Sequence, residues 1–480
     1  MSLELQKAQE YEAKNKNEIP EEEKPLFHVA PPIGWMNDPN GFSFYQGKVH
    51  LFYQYHPYSR EWGPMHWGHS VSEDMIHWEQ LPVALAPDME YDKAGCFSGS
   101  AVEADGKHVL IYTGVTEDNR QNQCIAFGDG LNYEKGRKNP VITGDMLPEE
   151  CGRIDFRDPK VWKNGDTYYL VAGNKNVQKK GQVVLFSSKN LEDWKFETIL
   201  AENTTGTMGT MWECPDFFQL DGVHFLVCSP QNMKAQKYEF HSGNNSVFFA
   251  GEYNEETHEF HKEEAKSLDY GLDYYAPQTT ELPDGRRILI AWMKSWDSCM
   301  IPDEQKWQGM TTIPRELRYI NGHLYQNPVK ELEKYRANSC CYANQLIEGE
   351  QQFEGIKGRT LDLTVEICGG DFKQFQIDLA HNDEYTTSFV YDSEKQTMEV
   401  DRTYCGVIRD VVCRRTWKLL EKQENLKLRF IIDKQSIELF INDGEQVAST
   451  VICTPIDADE ILFNCQGSAR VNVEKYDIVK

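Results

Sequence analysis

The chain has 480 residues, of which 40% are hydrophobic and 12% aromatic, and its formal net charge is −26. This length predicts two domains, each able to bury a core, and the composition excludes a disordered chain. The negative charge argues against nucleic acid and membrane surfaces as partners, because no basic patch offsets it. The composition is typical of a globular protein with a small or neutral ligand.

The N-terminal segment, residues 1–24, is charged and reads MSLELQKAQEYEAKNKNEIPEEEK. It has no apolar stretch behind a basic start, and no later run of eighteen apolar residues follows. We predict that this segment is a tail with one surface helix and that the protein is cytoplasmic. The thirteen cysteines lack CxxC pairs, which favours reduced thiols over a zinc site.

A turn followed by an apolar strand recurs five times in the first two thirds of the chain. The copies are QGKVHLFYQY from Gln46, DGKHVLIYTG from Asp105, NGDTYYLVAG from Asn164, DGVHFLVCS from Asp221 and DGRRILIAWM from Asp284. Their glycines recur every 57 to 63 residues. Asn-Gly or Asp-Gly before such a run is a strong hairpin signal, because the primed turn needs positive φ at both central positions. Each copy is therefore predicted to be a β-hairpin.

A period near sixty residues, with several strands and little helix, fits a propeller blade of four antiparallel strands. Five copies predict a five-bladed β-propeller over residues 25–330, and a large β-sandwich with accidental spacing is the alternative. From about Cys340 shorter alternating segments begin, such as RTLDLTVEI, LKLRFIID and SIELFIND. These predict a β-sandwich over residues 340–480, joined by a charged linker at 331–339. The predicted fold class is all-β, a propeller followed by a sandwich.

Three acids precede repeat glycines in segments that ordinary structural strands would not choose. They are Asp38 in GWMNDPNGF, Asp158 in DFRDPKVW and Glu213 in MWECPDFF, at offsets of nine, seven and nine residues. The first strand of each blade lines the channel of a propeller, so acids at equivalent places in blades one, three and four should converge. Proline near each acid suits a strand entrance. A lone Asp-Pro is usually a turn, but three acids in register favour a shared site.

Two carboxyl groups suffice to hydrolyse a glycoside with retention, one as nucleophile and one as acid and then base. The third, paired with Arg157, would hold sugar hydroxyls as the ring flattens. Glu213 is the better acid/base candidate, because its neighbours Met211, Trp212 and Cys214 are apolar and desolvation favours the protonated form. A metal site is the rival interpretation, but no compact loop of alternating acids exists, so we predict no metal and no cofactor.

Four motifs resemble glycoside hydrolase family 32, and the resemblance spans nearly the whole chain. They are WMNDPNG (Trp35–Gly41), FSGSA (Phe97–Ala101), FRDPKVW (Phe156–Trp162) and ECPD (Glu213–Asp216). The resemblance implies that Asp38 is the nucleophile, Glu213 the acid/base and Asp158 the stabiliser of the transition state. It also implies a fructose subsite formed by Trp35, Asn37, Gln54, Trp62, Phe97, Ser98, Arg157 and Trp292. For Trp62 and Trp292 taken alone, a core or hairpin aromatic is the alternative.

Within this family, QYHPYSREWGPMHWGH from Gln54 looks most like the bacterial sucrose and sucrose-6-phosphate hydrolases. The resemblance implies a retaining β-fructofuranosidase whose ligand is a small sugar, with sucrose, its 6-phosphate and short fructo-oligosaccharides left open. Fructosyl transfer shares the covalent intermediate, and a non-catalytic carbohydrate-binding propeller is a further alternative, because fold alone does not establish activity. The sandwich is expected to be structural or to mediate self-association as a homo-oligomer.

Overall fold

The computed structural model describes residues 2–298, 300, 305–407, 409–420 and 425–480. These residues form mainly antiparallel strands, with one α-helix, α1 (Leu3–Asn15), and short 3₁₀ helices at Lys16–Glu18, Glu21–Glu23, Glu90–Asp92, Gly144–Met146 and Lys330–Tyr335. No helix in the described part of the chain is both long and apolar enough to cross a membrane.

Five antiparallel sheets form the blades of a propeller, which confirms the predicted all-β architecture. Blade 1 contains β1 (Gly34–Tyr45), β2 (Lys48–His56), β3 (His66–Ser72) and β4 (Glu79–Leu85). Blade 2 contains β5 (Gly95–Ala104), β6 (Lys107–Val115), β7 (Gln121–Gly128) and β8 (Tyr133–Lys135). Blade 3 contains β9 (Phe156–Asn164), β10 (Thr167–Lys175), β11 (Gly181–Ser188) and β12 (Trp194–Glu202).

The last two blades carry short additional strands. Blade 4 contains β13 (Met211–Leu220), β14 (Val223–Gln231), β15 (Val247–Tyr253), β16 (Phe260–Lys262) and the short β17 (Lys266–Ser267). Blade 5 contains β18 (Tyr275–Glu281) and β19 (Arg287–Trp292), followed by β21 (Arg315–Ile320) and β22 (His323–Pro328). Between β19 and β21 lies β20 (Trp307–Gln308), which pairs in parallel with the start of β1. A segment of the last blade therefore closes the ring against the first.

The first two strands of every blade are the hairpins that the repeat predicts. Gln46 and Gly47 have φ values of 48° and 81°, as a primed turn requires, and the turns at Asp105 and Asp221 also have two positive φ values. The prediction of two positive φ values is wrong for the other copies. In the third, only Gly165 of the two turn residues has positive φ, and in the fifth a longer loop over 282–286 joins the strands.

Apolar side chains from facing blades fill the gaps between them. Ile111 of blade 2 packs in one cluster with Leu170 of blade 3, and Val171 of blade 3 in another with Leu226 of blade 4. All four side chains are fully buried. Burial of one such side chain stabilises the fold by about 1.5–3 kcal/mol, so the blades hold each other without covalent links.

The C-terminal domain is a β-sandwich whose long strands bend through both layers. Its strands are β23 (Arg336–Gln351), β24 (Leu361–His381), β25 (Thr386–Asp392), β26 (Thr397–Tyr404), β27 (Arg414–Lys418), β28 (Leu426–Asp433), β29 (Ser436–Ile441), β30 (Gln446–Val451) and β31 (Glu460–Ile478). The first half of β24 pairs with β28, and its second half pairs with β25. The bend between the halves lies at Gly369 and Gly370, whose φ values of 129° and 147° suit glycine.

The propeller is flanked by one helix on its N-terminal side and by a long strand on its C-terminal side. Helix α1 lies within the predicted tail, begins after Ser2, whose side chain accepts a hydrogen bond from the Leu5 amide, and buries Ala8. Gln9 fastens the helix to blade 1 by donating to the Val83 carbonyl at 2.8 Å. At the other end, strand β23 begins at Arg336, inside the predicted linker.

A buried polar network joins the propeller to the sandwich. Arg315 of β21 donates to Asp269 at 3.1 Å, and across the domain boundary to Glu438 at 2.6 Å and Ser449 at 2.6 Å. His28 bonds Glu438 at 2.9 Å and Asp433 at 2.8 Å. Burial works against the charged imidazole, but the two carboxylates outweigh it and raise the pKa of His28 to about 9. The domain interface is therefore held by charges that have no access to water.

Three buried histidines predict a loss of stability in acid. His50 and His69 contact each other at 3.0 Å, and His108 lies against His50 with the ring centres 4.9 Å apart. Burial lowers the pKa of His50 to about 4 and of His108 to about 3, and holds that of His69 well below its usual value. The unfolded chain takes up these protons near pH 6.5, so stability should fall as pH falls below 6.5, by about 1.4 kcal/mol per pH unit and histidine.

Urea unfolding between pH 7 and pH 5 checks this expectation. His69→Phe should reduce the slope of unfolding free energy against pH by up to about 1.4 kcal/mol per pH unit, because one proton fewer is taken up on unfolding. His261→Gln is the control, since the His261 side chain is 75% exposed. An equal slope in both variants would show that His69 is not a source of the acid sensitivity.

Candidate active site

An interruption of strand pairing recurs on the first strand of every blade, where the channel wall is built. Register shifts separate Met36 from Pro39 in β1 and Phe97 from Gly99 in β5, and corresponding shifts occur in β9, β13 and β18. A β-bulge of this kind bends the strand and re-aims a side chain. At each break a proline or glycine follows one residue of the strand, and these preceding residues are Asp38, Ser98, Asp158, Cys214 and Ala276.

The bulge corrects the register predicted for the acids. Aligned on the following proline, Asp38 and Asp158 are equivalent, but the matching residue of blade 4 is Cys214, and Glu213 stands one position earlier. Asp158, Cys214 and Ala276 have φ values of 64°, 47° and 53°. Such left-handed conformations cost about 1–3 kcal/mol each in residues with a side chain, and they cluster at functional sites. Backbone strain is thus concentrated where the channel side chains are aimed.

Asp38 is a buried carboxylate that accepts hydrogen bonds from the side chains of Ser98, Asn37 and Cys214. The Ser98 hydroxyl donates to Oδ2 at 2.7 Å, and the Asn37 amide donates to Oδ1 at 3.0 Å. The Trp35 indole N–H donates to the Asn37 oxygen at 2.7 Å, which fixes the orientation of that amide. Burial raises the pKa of Asp38, and the nearby charge of Glu213 raises it further.

Asp158 faces Asp38 across the sulfur of Cys214. The Cys214 sulfur lies 3.6 Å from Oδ2 of both aspartates, so these oxygens are no more than twice that distance apart. The Cys214 amide donates to Asp158 at 3.0 Å, and Arg157 Nε lies 3.9 Å from the same oxygen. Burial raises the pKa of Asp158 against the opposing charge of Arg157, and the other two acids raise it further. The cluster therefore favours retaining a proton.

Glu213 lies in a polar setting that differs from the sequence-based expectation of apolar neighbours. Arg157 donates twice to Oε1, at 2.9 and 2.8 Å, and Gln231 donates to Oε2 at 2.7 Å. The Trp212 side chain is turned away into the core between blades 3 and 4, where it packs on Phe249. Adjacent side chains of a strand point to opposite faces, so the Trp212 side chain does not cover the Glu213 carboxylate.

The hydroxyl of Tyr275 can form a hydrogen bond with Glu213 whether the Glu213 carboxyl group is protonated or ionised. It lies 2.6 Å from Glu213 Oε2 and 3.0 Å from the carbonyl oxygen of Ser229. A hydroxyl has one proton, and a carbonyl can only accept. When Tyr275 donates to Ser229, the short contact with Glu213 needs a proton on the carboxyl group. When Glu213 is ionised, Tyr275 donates to it instead, so the pair suits proton transfer.

These side chains share a pocket of about 230 Å³. Its lining includes the predicted residues Asp38, Asp158, Glu213, Asn37, Gln54, Trp62, Phe97, Ser98 and Arg157, together with Gln121, Asp155, Gln231 and Trp296, which the sequence did not single out. Trp62 is 49% exposed at this site and meets Phe97 edge to face. The structure therefore brings all three acids and most predicted subsite residues to one place.

Two predicted tryptophans do not reach the pocket lining. Trp292 is fully buried behind Trp35, with ring centres 6.0 Å apart, and Trp296 stacks on Trp35 and lines the pocket instead. Trp35 is 4% exposed and acts on the site through Asn37. Trp296 follows a strand end and lies outside the repeat, so periodicity gave no signal for it.

A larger cavity, of about 470 Å³, lies further along β9 and β13. Its buried Lys160 and Asp216 are paired at 3.1 Å, so acid and base neutralise each other there. The smaller pocket instead combines several carboxyl groups with perturbed pKa values, which marks it as the candidate active site. Within the described ranges, no group of three or more His, Cys, Asp or Glu side chains is placed to hold a metal ion. The absence of a cofactor stays a prediction.

Comparison with known proteins agrees over the full length of both domains. Residues 28–328 match the model of the glycosyl hydrolases family 32 N-terminal domain, and residues 331–480 match that of the family 32 C-terminal domain. The chain is 38% identical to a raffinose invertase of Escherichia coli over 456 residues, 93% of each chain. It is also 38% identical to a sucrose-6-phosphate hydrolase of Escherichia coli, over 93% of this chain and 92% of that one. A Bombyx mori β-fructofuranosidase structure superimposes with a TM-score of 0.86 at 34% identity, covering 99% of this chain and 98% of the other.

Proposed function

The chain belongs to glycoside hydrolase family 32 and is an invertase-type hydrolase, and from this premise we propose that it is a retaining β-fructofuranosidase. The proposed reaction splits the fructosyl bond of sucrose through a covalent fructosyl-enzyme. The observation that carries it is the meeting of Asp38, Asp158 and Glu213, from three different blades, on one small pocket.

In the first step, Asp38 Oδ attacks C2 of the fructosyl unit, and the bond from C2 to the glucosyl oxygen breaks. Glu213 gives its proton to that oxygen, so glucose leaves as a neutral alcohol. In the second step, water attacks C2, Glu213 takes the water proton, and the Asp38 carboxylate is released. The contact of Glu213 with Tyr275 supports this exchange, because it accommodates Glu213 with and without the proton.

Asp158 is proposed to hold fructosyl hydroxyls while positive charge develops on the ring. Hydrogen bonds to sugar hydroxyls that strengthen in the transition state supply several kcal/mol in such reactions. The backbone of Cys214 keeps Asp158 in place, and Arg157 lies between Asp158 and Glu213. Asn37, Gln54, Trp62, Phe97 and Ser98 complete the proposed fructose subsite.

The finer substrate range and location are also proposals. One relative is named a raffinose invertase and another a sucrose-6-phosphate hydrolase, which supports sucrose-type fructosides as substrates. Hydrolysis of short fructo-oligosaccharides stays a prediction. Transfer of the fructosyl group to another sugar would use the same covalent intermediate. The twelve cysteines in the described residues are free, which supports a reducing, cytoplasmic setting. Self-association through the sandwich stays a prediction.

Cleavage of sucrose in the presence of methanol tests both the reaction and its stereochemistry. We expect release of glucose together with methyl β-fructofuranoside, because attack on a fructosyl-enzyme from the vacated side restores the original configuration. NMR of the fresh mixture measures this product, and the same reaction without methanol is the control. Methyl α-fructofuranoside would refute the covalent mechanism, and absence of glucose release would refute the hydrolase function.

A further inference from the structure

The edge of the pocket carries a carboxylate that the proposed reaction does not use. Asp155, the residue before β9, lines the pocket and is partly exposed. It accepts a hydrogen bond from Arg157 Nη1 at 3.4 Å and is paired with Lys175. Burial works to raise the pKa of Asp155, but the hydrogen bond from Lys175 and the charge of Arg157 hold that pKa below its usual value. Asp155 is therefore a fixed negative charge at neutral pH.

Arg157, the cationic side chain of the pocket, already donates most of its hydrogen bonds to neighbouring side chains. Arg157 donates from Nε and Nη2 to Glu213, and from Nη1 to Gln121 at 3.1 Å and to Asp155. A guanidinium has five N–H groups, so these contacts leave one of them. Among the described residues that line the pocket, Arg157 is the single cationic side chain, and four carboxyl groups share the lining with it. The nearby Lys175 is held by Asp155.

A phosphate group needs unshared cations or bidentate donors to compensate for its loss of water. Sucrose and sucrose 6-phosphate differ only by this group, which brings about two negative charges at neutral pH. Resting on the function proposed above, we infer that this site selects unphosphorylated sucrose over sucrose 6-phosphate. Asp155 is the residue that sets the preference, by repelling the phosphate and by occupying Lys175 and part of Arg157.

The ratio of kcat/KM for sucrose 6-phosphate to kcat/KM for sucrose measures this preference. Wild-type protein should favour sucrose by about tenfold or more, and Asp155→Asn should raise the ratio by about tenfold, because it removes one like charge from the pocket edge that a phosphate dianion must approach. Release of Lys175 acts in the same direction. A general loss of activity in the variant cancels in the ratio, and low ionic strength enlarges the difference.

Two control variants separate this effect from net charge. Asp118→Asn removes one carboxylate from the loop between β6 and β7, outside the pocket lining, and should leave the ratio unchanged. Lys175→Gln leaves Asp155 without its lysine and should lower the ratio. An unchanged ratio in Asp155→Asn, an equal rise in Asp118→Asn, or a wild-type preference for sucrose 6-phosphate would each overturn the inference.

If the proposed function is wrong, the wild-type protein hydrolyses neither sugar, and this result differs from those that overturn the inference. The selectivity is then still measured by calorimetric titration of each sugar into Asp38→Asn. Tighter binding of sucrose than of sucrose 6-phosphate, with a smaller difference when Asp155→Asn is added, supports the role of Asp155, and equal or reversed affinities before that addition, or an unchanged difference after it, refute it.

Discussion

Asp38→Asn is expected to lower sucrose turnover by about 10⁴-fold or more, the range seen when a covalent nucleophile is removed. The amide has nearly the shape of the carboxylate but is too weak a nucleophile to form the fructosyl-enzyme. The Ser98 hydroxyl, 2.7 Å away, can rotate to accept from the new amide instead of donating. The substitution therefore removes the attacking atom and keeps its surroundings.

The stability of the same variant distinguishes lost chemistry from lost folding. Burial raises the pKa of Asp38, which means that the folded protein disfavours the charged form at neutral pH. The neutral amide removes this cost, so the Tm of Asp38→Asn should equal or exceed that of the wild type. Asp166→Asn, the same change in the exposed turn between β9 and β10, should keep both activity and Tm. Near-normal sucrose cleavage by Asp38→Asn would show that another group is the nucleophile.

Arg315→Met is expected to destabilise the protein by about 3–5 kcal/mol, the cost of breaking a buried ion pair from one side. The Arg315 side chain is fully buried and spans both domains by its contacts with Asp269 and Glu438. Methionine fills similar space but leaves these carboxylates without their common cation. His28 remains beside Glu438, so part of the charge stays compensated.

Urea unfolding at pH 7 measures this loss as a shift of the transition midpoint at unchanged m-value. Arg318→Met is the matched control, because Arg318 is 57% exposed and 3.5 Å from Asp221, and a surface pair of this kind contributes about 0–1 kcal/mol. A loss of under 1 kcal/mol for Arg315→Met would mean that the interface does not depend on the buried arginine.

The blade organisation could be predicted because its signals are local. A turn such as Gln46-Gly47 predicts its hairpin from a few neighbouring residues. The recurrence of that turn about every sixty residues then predicts the blade. Counting back from the repeat glycine fails for register, because the number of residues between the acid and that glycine differs between blades, whereas the proline marks the break in strand pairing. Glu213 was therefore predicted in the place that Cys214 occupies, although the structure brings both to the channel.

The pocket wall was harder to predict than its acids. Gln121 begins β7 and Gln231 ends β14, so each lies outside the motif-bearing strands, and their approach depends on how neighbouring blades pack. Trp296 replaces Trp292 in the lining because the chain leaves the strand after Trp292 and folds back over the pocket edge. A single sequence indicates aromatic content there, but the choice between two tryptophans requires the three-dimensional path.

The recurring bulge separates the chemistry of this protein from its scaffold. All five blades carry the same break, yet only three contribute an acid near it, while Ser98 and Ala276 occupy the corresponding places in blades 2 and 5. The backbone geometry that directs a side chain toward the axis is thus a property of the repeat unit and does not depend on which side chain stands at that position. The side chain at the break of one blade can therefore be substituted without a change in the backbone of the other four blades, and the five positions around the axis can carry different chemical groups.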